Sequence, residues 1–157
     1  MDFLPIIIAI TITGAGIVTG LLFAFSNFTL QSLADLPAEH GMFAMQRINK
    51  RIINPIFLLF FLGTPALCLL AGVLTVIEPV APGRLLVLGG AVAYLVGPFG
   101  ITVLFNVPLN NRLANENSKN AADYWPQYQE KWQFWNHIRT YLGVISIVCL
   151  ALGQQTG

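Results

Sequence analysis

Asparagine, tryptophan, histidine and arginine crowd into one stretch of this chain. It opens with Phe-Asn-Val-Pro-Leu-Asn-Asn-Arg (Phe105–Arg112) and closes with Trp-Gln-Phe-Trp-Asn-His-Ile-Arg (Trp132–Arg139). One titratable imidazole, guanidinium groups, several amides and aromatic surface can together bind a flat, weakly acidic phenol or ketone. His137 would take the proton. Amides and a guanidinium would then stabilise the enolate or phenolate, as oxyanion donors do. An electron-rich carbanion of this kind can react with O₂ without a metal.

Other chemistries lack their parts. Catalytic metal sites usually need three or more protein ligands. The chain has two histidines: His40, beside Glu39, and His137, with no second His or Cys nearby. No metal site is expected. A single axial His137 could hold haem, which stays as the alternative cofactor, although no c-type attachment motif is present. There is no Ser-His-acid arrangement or Gly-x-Ser-x-Gly elbow. A phosphate-cradling Gly loop is also missing. Cys68 and Cys149 form no Cys-x-x-Cys pair and read as small buried hydrophobes.

The elements that must position these residues are set by lipid. Of 157 residues, 55% are hydrophobic and 10% charged, against about a quarter charged in soluble domains. A formal charge of +1 gives no basic footprint for nucleic acid. The expected fold class is all-α: a single four-helix transmembrane domain over residues 1–157, with spans at about 4–30, 52–77, 85–109 and 135–152. Each is judged against the roughly 20 residues needed to cross a bilayer. The first run lacks a basic n-region and exceeds a signal peptide's apolar core. An amphipathic extension from near Asp123 precedes the fourth span. Gly16 and Gly20 form one small-residue step, and Gly89, Ala93 and Gly97 another. Such faces suit close helix packing or a homo-oligomer. Pro55 suits a helix start, while Pro65 and Pro98 would kink their spans. Glu78–Gly83 reads as a tight turn and Asn115–Asn120 as a polar loop.

Arg47, Lys50 and Arg51 lie in the first loop, and Arg112, Lys119, Lys131 and Arg139 in or beside the third. Arg84 alone lies in the second. The positive-inside rule then makes loops one and three cytoplasmic and puts both termini outside.

This orientation gathers the polar groups at one leaflet. Ser26 and Asn27 end helix one, Gln46, Asn49 and Asn54 surround the start of helix two, Asn106, Asn110 and Asn111 close helix three, and Asn136, His137 and Arg139 open helix four. Asn106 and Asn110, four apart, share a face if Pro108 does not end the helix between them. Trp125, Trp132, Asn136 and Arg139 fall on one stripe, and His137 points about 100° away from Asn136. Ordinary uses exist for each: amides cap helix ends, tryptophans anchor at interfaces and arginine snorkels to phosphates.

At Met45-Gln-Arg-Ile-Asn49 through Asn54-Pro-Ile-Phe57, Phe105–Leu113, Trp125 and Trp132–Thr140, the chain resembles the DUF1772 family of anthrone oxygenase-like membrane proteins. The resemblance spans most of the chain and implies a four-helix fold. Some relatives in fungal polyketide pathways oxidise an anthrone to an anthraquinone with O₂. What it implies here is an oxygenase-like protein without a resident cofactor, O₂ being the co-substrate. In that reading His137 is the base, Asn106, Asn110 and Asn136 are the oxyanion or peroxide donors, and Arg139 or Arg112 is the charge clamp. Trp132 and Trp135 stack the substrate, with Asn49 and Asn54 as further binding residues. The expected partners are the bilayer and a small aromatic or hydrophobic ligand. The competing reading is a non-enzymatic membrane protein that binds a lipid, quinone or partner helix, with the Asn/His/Arg set as a structural hydrogen-bond network.

Overall fold

The computed structural model describes residues 3–77 and 83–155; most of the turn expected at Glu78–Gly83 lies outside them. The described chain is helical throughout, with no strand. Helix α1 runs Leu4–Ala34 and contains a π-helical segment, Phe25–Thr29. Helix α2 is Ala38–Ile52 and α3 is Pro55–Ile77. Helix α4 runs Arg84–Ala114 with a π-helical segment at Leu95–Asn106, and α5 runs Ser118–Gln155 from a 3₁₀ first turn. Helices α1, α3, α4 and α5 are long and apolar enough to cross a membrane.

These boundaries revise the sequence reading. The stretch carrying Arg47, Lys50 and Arg51 is a helix rather than a loop, and α4 continues through Pro108 to Ala114. Pro108 sits at the second position after the π segment, where a missing N–H is tolerated much as at a helix start. Pro55 does open α3. It follows an asparagine cap: Asn54 Oδ1 accepts from Phe57 N at 3.1 Å. Pro98 falls inside the α4 π segment, and Thr102 Oγ1 donates to the Pro98 carbonyl at 2.5 Å.

Three buried layers hold the bundle. Leu4, Ile8, Ala71, Val87 and Leu150 close one end. Ala15, Val18, Leu22, Cys68, Ala91 and Tyr94 fill the middle. Met42, Met45, Leu113, Trp125, Tyr128 and Trp132 fill the other end, where α2 packs across α5. The middle layer is small-residue-rich, which lets backbones approach without a hydrophobic drive between helices. Gly97 is one such point: a Cβ there would strike Leu142. Gly16, Gly20 and Gly89 instead face open space. Large apolar side chains such as Leu59 and Ile56 remain 68% and 72% exposed, as suits a surface solvated by acyl chains rather than water.

Candidate functional site

The polar side chains meet at the Trp-rich end, mostly against the inward face of α5. Periodicity explains why. Trp125, Trp132, Asn136 and Arg139 are all buried, at 2%, 4%, 0% and 5% exposure. Asn136 ties α5 to α1. Its Nδ2 donates to the Leu22 carbonyl at 2.9 Å and to Ser26 Oγ at 2.7 Å, both on α1. Its Oδ1 accepts from Arg139 Nε at 3.0 Å. Arg139 Nη1 donates in turn to Thr102 Oγ1 on α4 at 2.9 Å, and its guanidinium lies 4.8 Å from the centre of the Trp132 ring.

Arg139 therefore sits in a neutral cage of an amide oxygen, a hydroxyl and an aromatic face. Among the described residues it has no carboxylate partner; the ion pair found there is the exposed His40–Glu39. A cation taken out of water costs several kcal/mol unless something compensates it. Hydrogen bonds and the ring quadrupole offset part of that cost. What is left is a region of fixed positive potential, receptive to developing negative charge.

Asn106 and Asn110 both face Trp132, so the four-residue spacing survives Pro108. Asn110 Oδ1 accepts from Tyr128 Oη at 2.8 Å and from Trp132 Nε1 at 2.9 Å. Asn106 Nδ2 donates to the Trp132 carbonyl at 3.3 Å, while its buried Oδ1 has no partner among the described residues. Asn49 Nδ2 reaches Tyr128 Oη at 3.5 Å, the edge of a hydrogen bond.

His137 is not part of this cluster. It lies two residues before Arg139, a rotation of about 200° on a helix, so the two side chains leave opposite faces of α5. His137 lies 6.4 Å from the Tyr141 ring and makes no hydrogen bond among the described residues. With Gln129, Glu130 and Gln133 it lines an open groove of about 320 Å³, whose other wall is Leu30, Gln31 and Ala34 of α1. The groove and the buried cage are linked. Gln133 Nε2 donates to the Ser26 carbonyl at 3.0 Å, and Ser26 Oγ receives Asn136.

Other expected site residues lie apart. Arg112 is exposed over Tyr124, 5.1 Å from the ring centre. Asn54 is a helix cap that also donates to the Arg51 and Ile52 carbonyls. Trp135 stacks on Phe105 with centroids 3.8 Å apart and is partly open. Sequence reasoning missed Thr102, Tyr128 and Gln133. A signal existed for each: Thr102 lies four before Asn106, Tyr128 four before Trp132 and Gln133 four before His137, all on shared faces. No group of three His, Cys, Asp or Glu side chains converges among the described residues.

Comparison with known proteins gives one informative result. The family model described as Anthrone oxygenase matches residues 57–149, which covers Asn106, Asn110, Trp132, Asn136, His137 and Arg139. No curated protein and no solved structure matches the chain.

Proposed function

We infer, because the chain belongs to the anthrone oxygenase family, that it oxidises a flat, weakly acidic aromatic ketone with O₂ at the polar end of its membrane bundle. The substrate lies in the groove between the end of α1 and α5. The groove is open, about 320 Å³, so a flat ring lies along it rather than enclosed by it. His137 takes a proton from the ring methylene and leaves an aromatic enolate. O₂ accepts electrons from that carbon. One oxygen atom becomes the new ring carbonyl, and the other leaves as water with the two methylene hydrogens. Arg139, behind the groove wall, supplies positive potential while the enolate carries its charge. In this reading the groove faces the cytoplasmic leaflet, since the basic segments lie at the same end.

The observation that carries the proposal is His137: a partly open imidazole with no hydrogen bond among the described residues, in the wall of a groove within the family-matched region. A base needs a free nitrogen and access to the proton it removes. The test is O₂ consumption by the purified chain on adding an anthrone, compared with His137→Ala and His137→Gln at matched unfolding temperature.

A second reading has its own support. Asn54, Asn110 and Asn136 all make hydrogen bonds inside the fold, which is how a purely structural network would look. Under it, variants of the buried cluster would lower stability and no substrate would be turned over.

A further inference from the structure

We propose that the outward face of α2 is a docking surface for anionic phospholipid headgroups. Helix α2 is held firmly on its inner side. Gly41, Met42 and Met45 are buried against the Trp125–Tyr128 layer, and Gln46 Nε2 donates to the Leu113 and Glu116 carbonyls at 2.8 and 3.0 Å. That fixes which side points away. Phe43, Arg47, Lys50 and Arg51 are all exposed. At positions i, i+4, i+7 and i+8 they fall within a sector of about 100°.

The composition of that face selects its occupant. Arg47 lies over the Phe43 ring at 4.8 Å, so an apolar ring and a cation sit side by side at the surface. Arg47, Lys50 and Arg51 form no ion pair with a carboxylate among the described residues. Immediately beyond, Ile53 and Ile56 are 68% and 72% exposed where α3 begins its span. Apolar exposure of that size at the start of a membrane helix places the residue level at the edge of the hydrocarbon. The three cations lie just before it in the chain, where phosphates are found. A helix with a basic and aromatic outer stripe at this depth suits a negatively charged leaflet, with phosphate oxygens supplying the counter-charge that no carboxylate among the described residues provides.

The surface is independent of the oxygenase reading, and its test needs no turnover. The full chain is reconstituted in equal parts phosphatidylglycerol and phosphatidylcholine, extracted in uncharged detergent, and its retained lipid quantified by mass spectrometry. Wild type should retain phosphatidylglycerol several-fold over phosphatidylcholine, with the excess lost in about 1 M salt, where screening acts within about 3 Å. Arg47→Gln, Lys50→Gln and Arg51→Gln combined should bring the ratio close to unity, each change contributing up to about fivefold. These side-chain heads make no buried contact, so the variant should fold, and circular dichroism checks that. Lys119→Gln with Lys131→Gln, which alters charge elsewhere, should keep the enrichment. Equal retention of the two lipids by wild type overturns the proposal. So does undiminished enrichment in the triple variant, or an equal loss in the Lys119/Lys131 variant.

Discussion

Asn136 and Arg139 are one helical turn apart on α5, and the amide holds the guanidinium. Arg139 Nε donates to Asn136 Oδ1 at 3.0 Å while Asn136 Nδ2 reaches across to Leu22 and Ser26 on α1. One asparagine thereby sets the orientation of a buried cation and the spacing of two spans. The Leu22 carbonyl lies just before the π segment Phe25–Thr29 and also accepts from the Phe25 backbone N–H, so the Asn136 amide takes its second lone pair.

Asn136→Ala should therefore destabilise the chain by about 2 kcal/mol, near the cost of leaving buried hydrogen-bonding groups without partners. Interhelical hydrogen bonds in lipid average less than that. The larger figure is expected because the Arg139 guanidinium also loses an acceptor. Denaturant unfolding in mixed micelles measures it.

Arg139→Met should behave differently. A buried charge with no opposite charge beside it is replaced by an apolar side chain at little or no loss of stability, so unfolding should stay within about 1 kcal/mol of wild type. Anthrone oxidation should fall by about threefold to tenfold, less than for a donor touching the oxyanion, because the positive potential acts across the helix. Arg139→Lys should not restore it: a single ammonium cannot reach Asn136 and Thr102 and also lie flat on Trp132. Paired activity and stability measurements on the same preparations separate these effects.

Asn110 receives two donors and Tyr128 gives only one of them. Tyr128→Phe should cost about 1 kcal/mol, and Asn110→Ala about 2 kcal/mol or more because it orphans both the phenol and the indole N–H. The double variant should fall short of the sum by about 1 kcal/mol, as expected for contacting residues. A double-mutant cycle on unfolding free energies reads this directly.

Small residues give a contrast. A Cβ on Gly90 would lie 2.8 Å from Leu150 Cγ and 3.0 Å from the Ser146 carbonyl oxygen, while one on Gly16 or Gly20 meets nothing within 4 Å. Gly90→Ala should therefore destabilise by about 1–3 kcal/mol through overpacking. Gly16→Ala and Gly20→Ala should leave the unfolding temperature of the monomer unchanged or slightly raised.

Those glycines also mark where sequence reasoning ran out. A four-residue repeat of small side chains recurs on any face of a helix, and nothing in the spacing says which face meets a partner. Gly14, two residues before Gly16, is the one that packs on Thr64. Helix period, by contrast, carried the α5 stripe: Trp125, Trp132, Asn136 and Arg139 share a face and are all buried. It also separated His137 from Asn136. Helix α2 was hidden because it lacks the apolar length of a span, although Met42 and Met45, three apart, were a sign of an inward face. The two π segments leave no comparable mark, since they depend on how neighbouring side chains meet the backbone. Thr102 and Gln133 share faces with Asn106 and His137, but their partners, Arg139 and the Ser26 carbonyl, lie on other helices or far along the chain, where spacing alone does not reach.

O₂ uptake by the purified chain in the presence of an anthrone, with formation of the anthraquinone followed by absorbance, decides whether His137 is the base of an oxygenase. Wild type should consume one O₂ per quinone formed. His137→Ala should lose at least about a hundredfold in rate, the scale of general-base catalysis, with its unfolding temperature unchanged. Wild-type protein that consumes no O₂ above the uncatalysed rate, or a His137→Ala variant that matches wild type, would contradict that role.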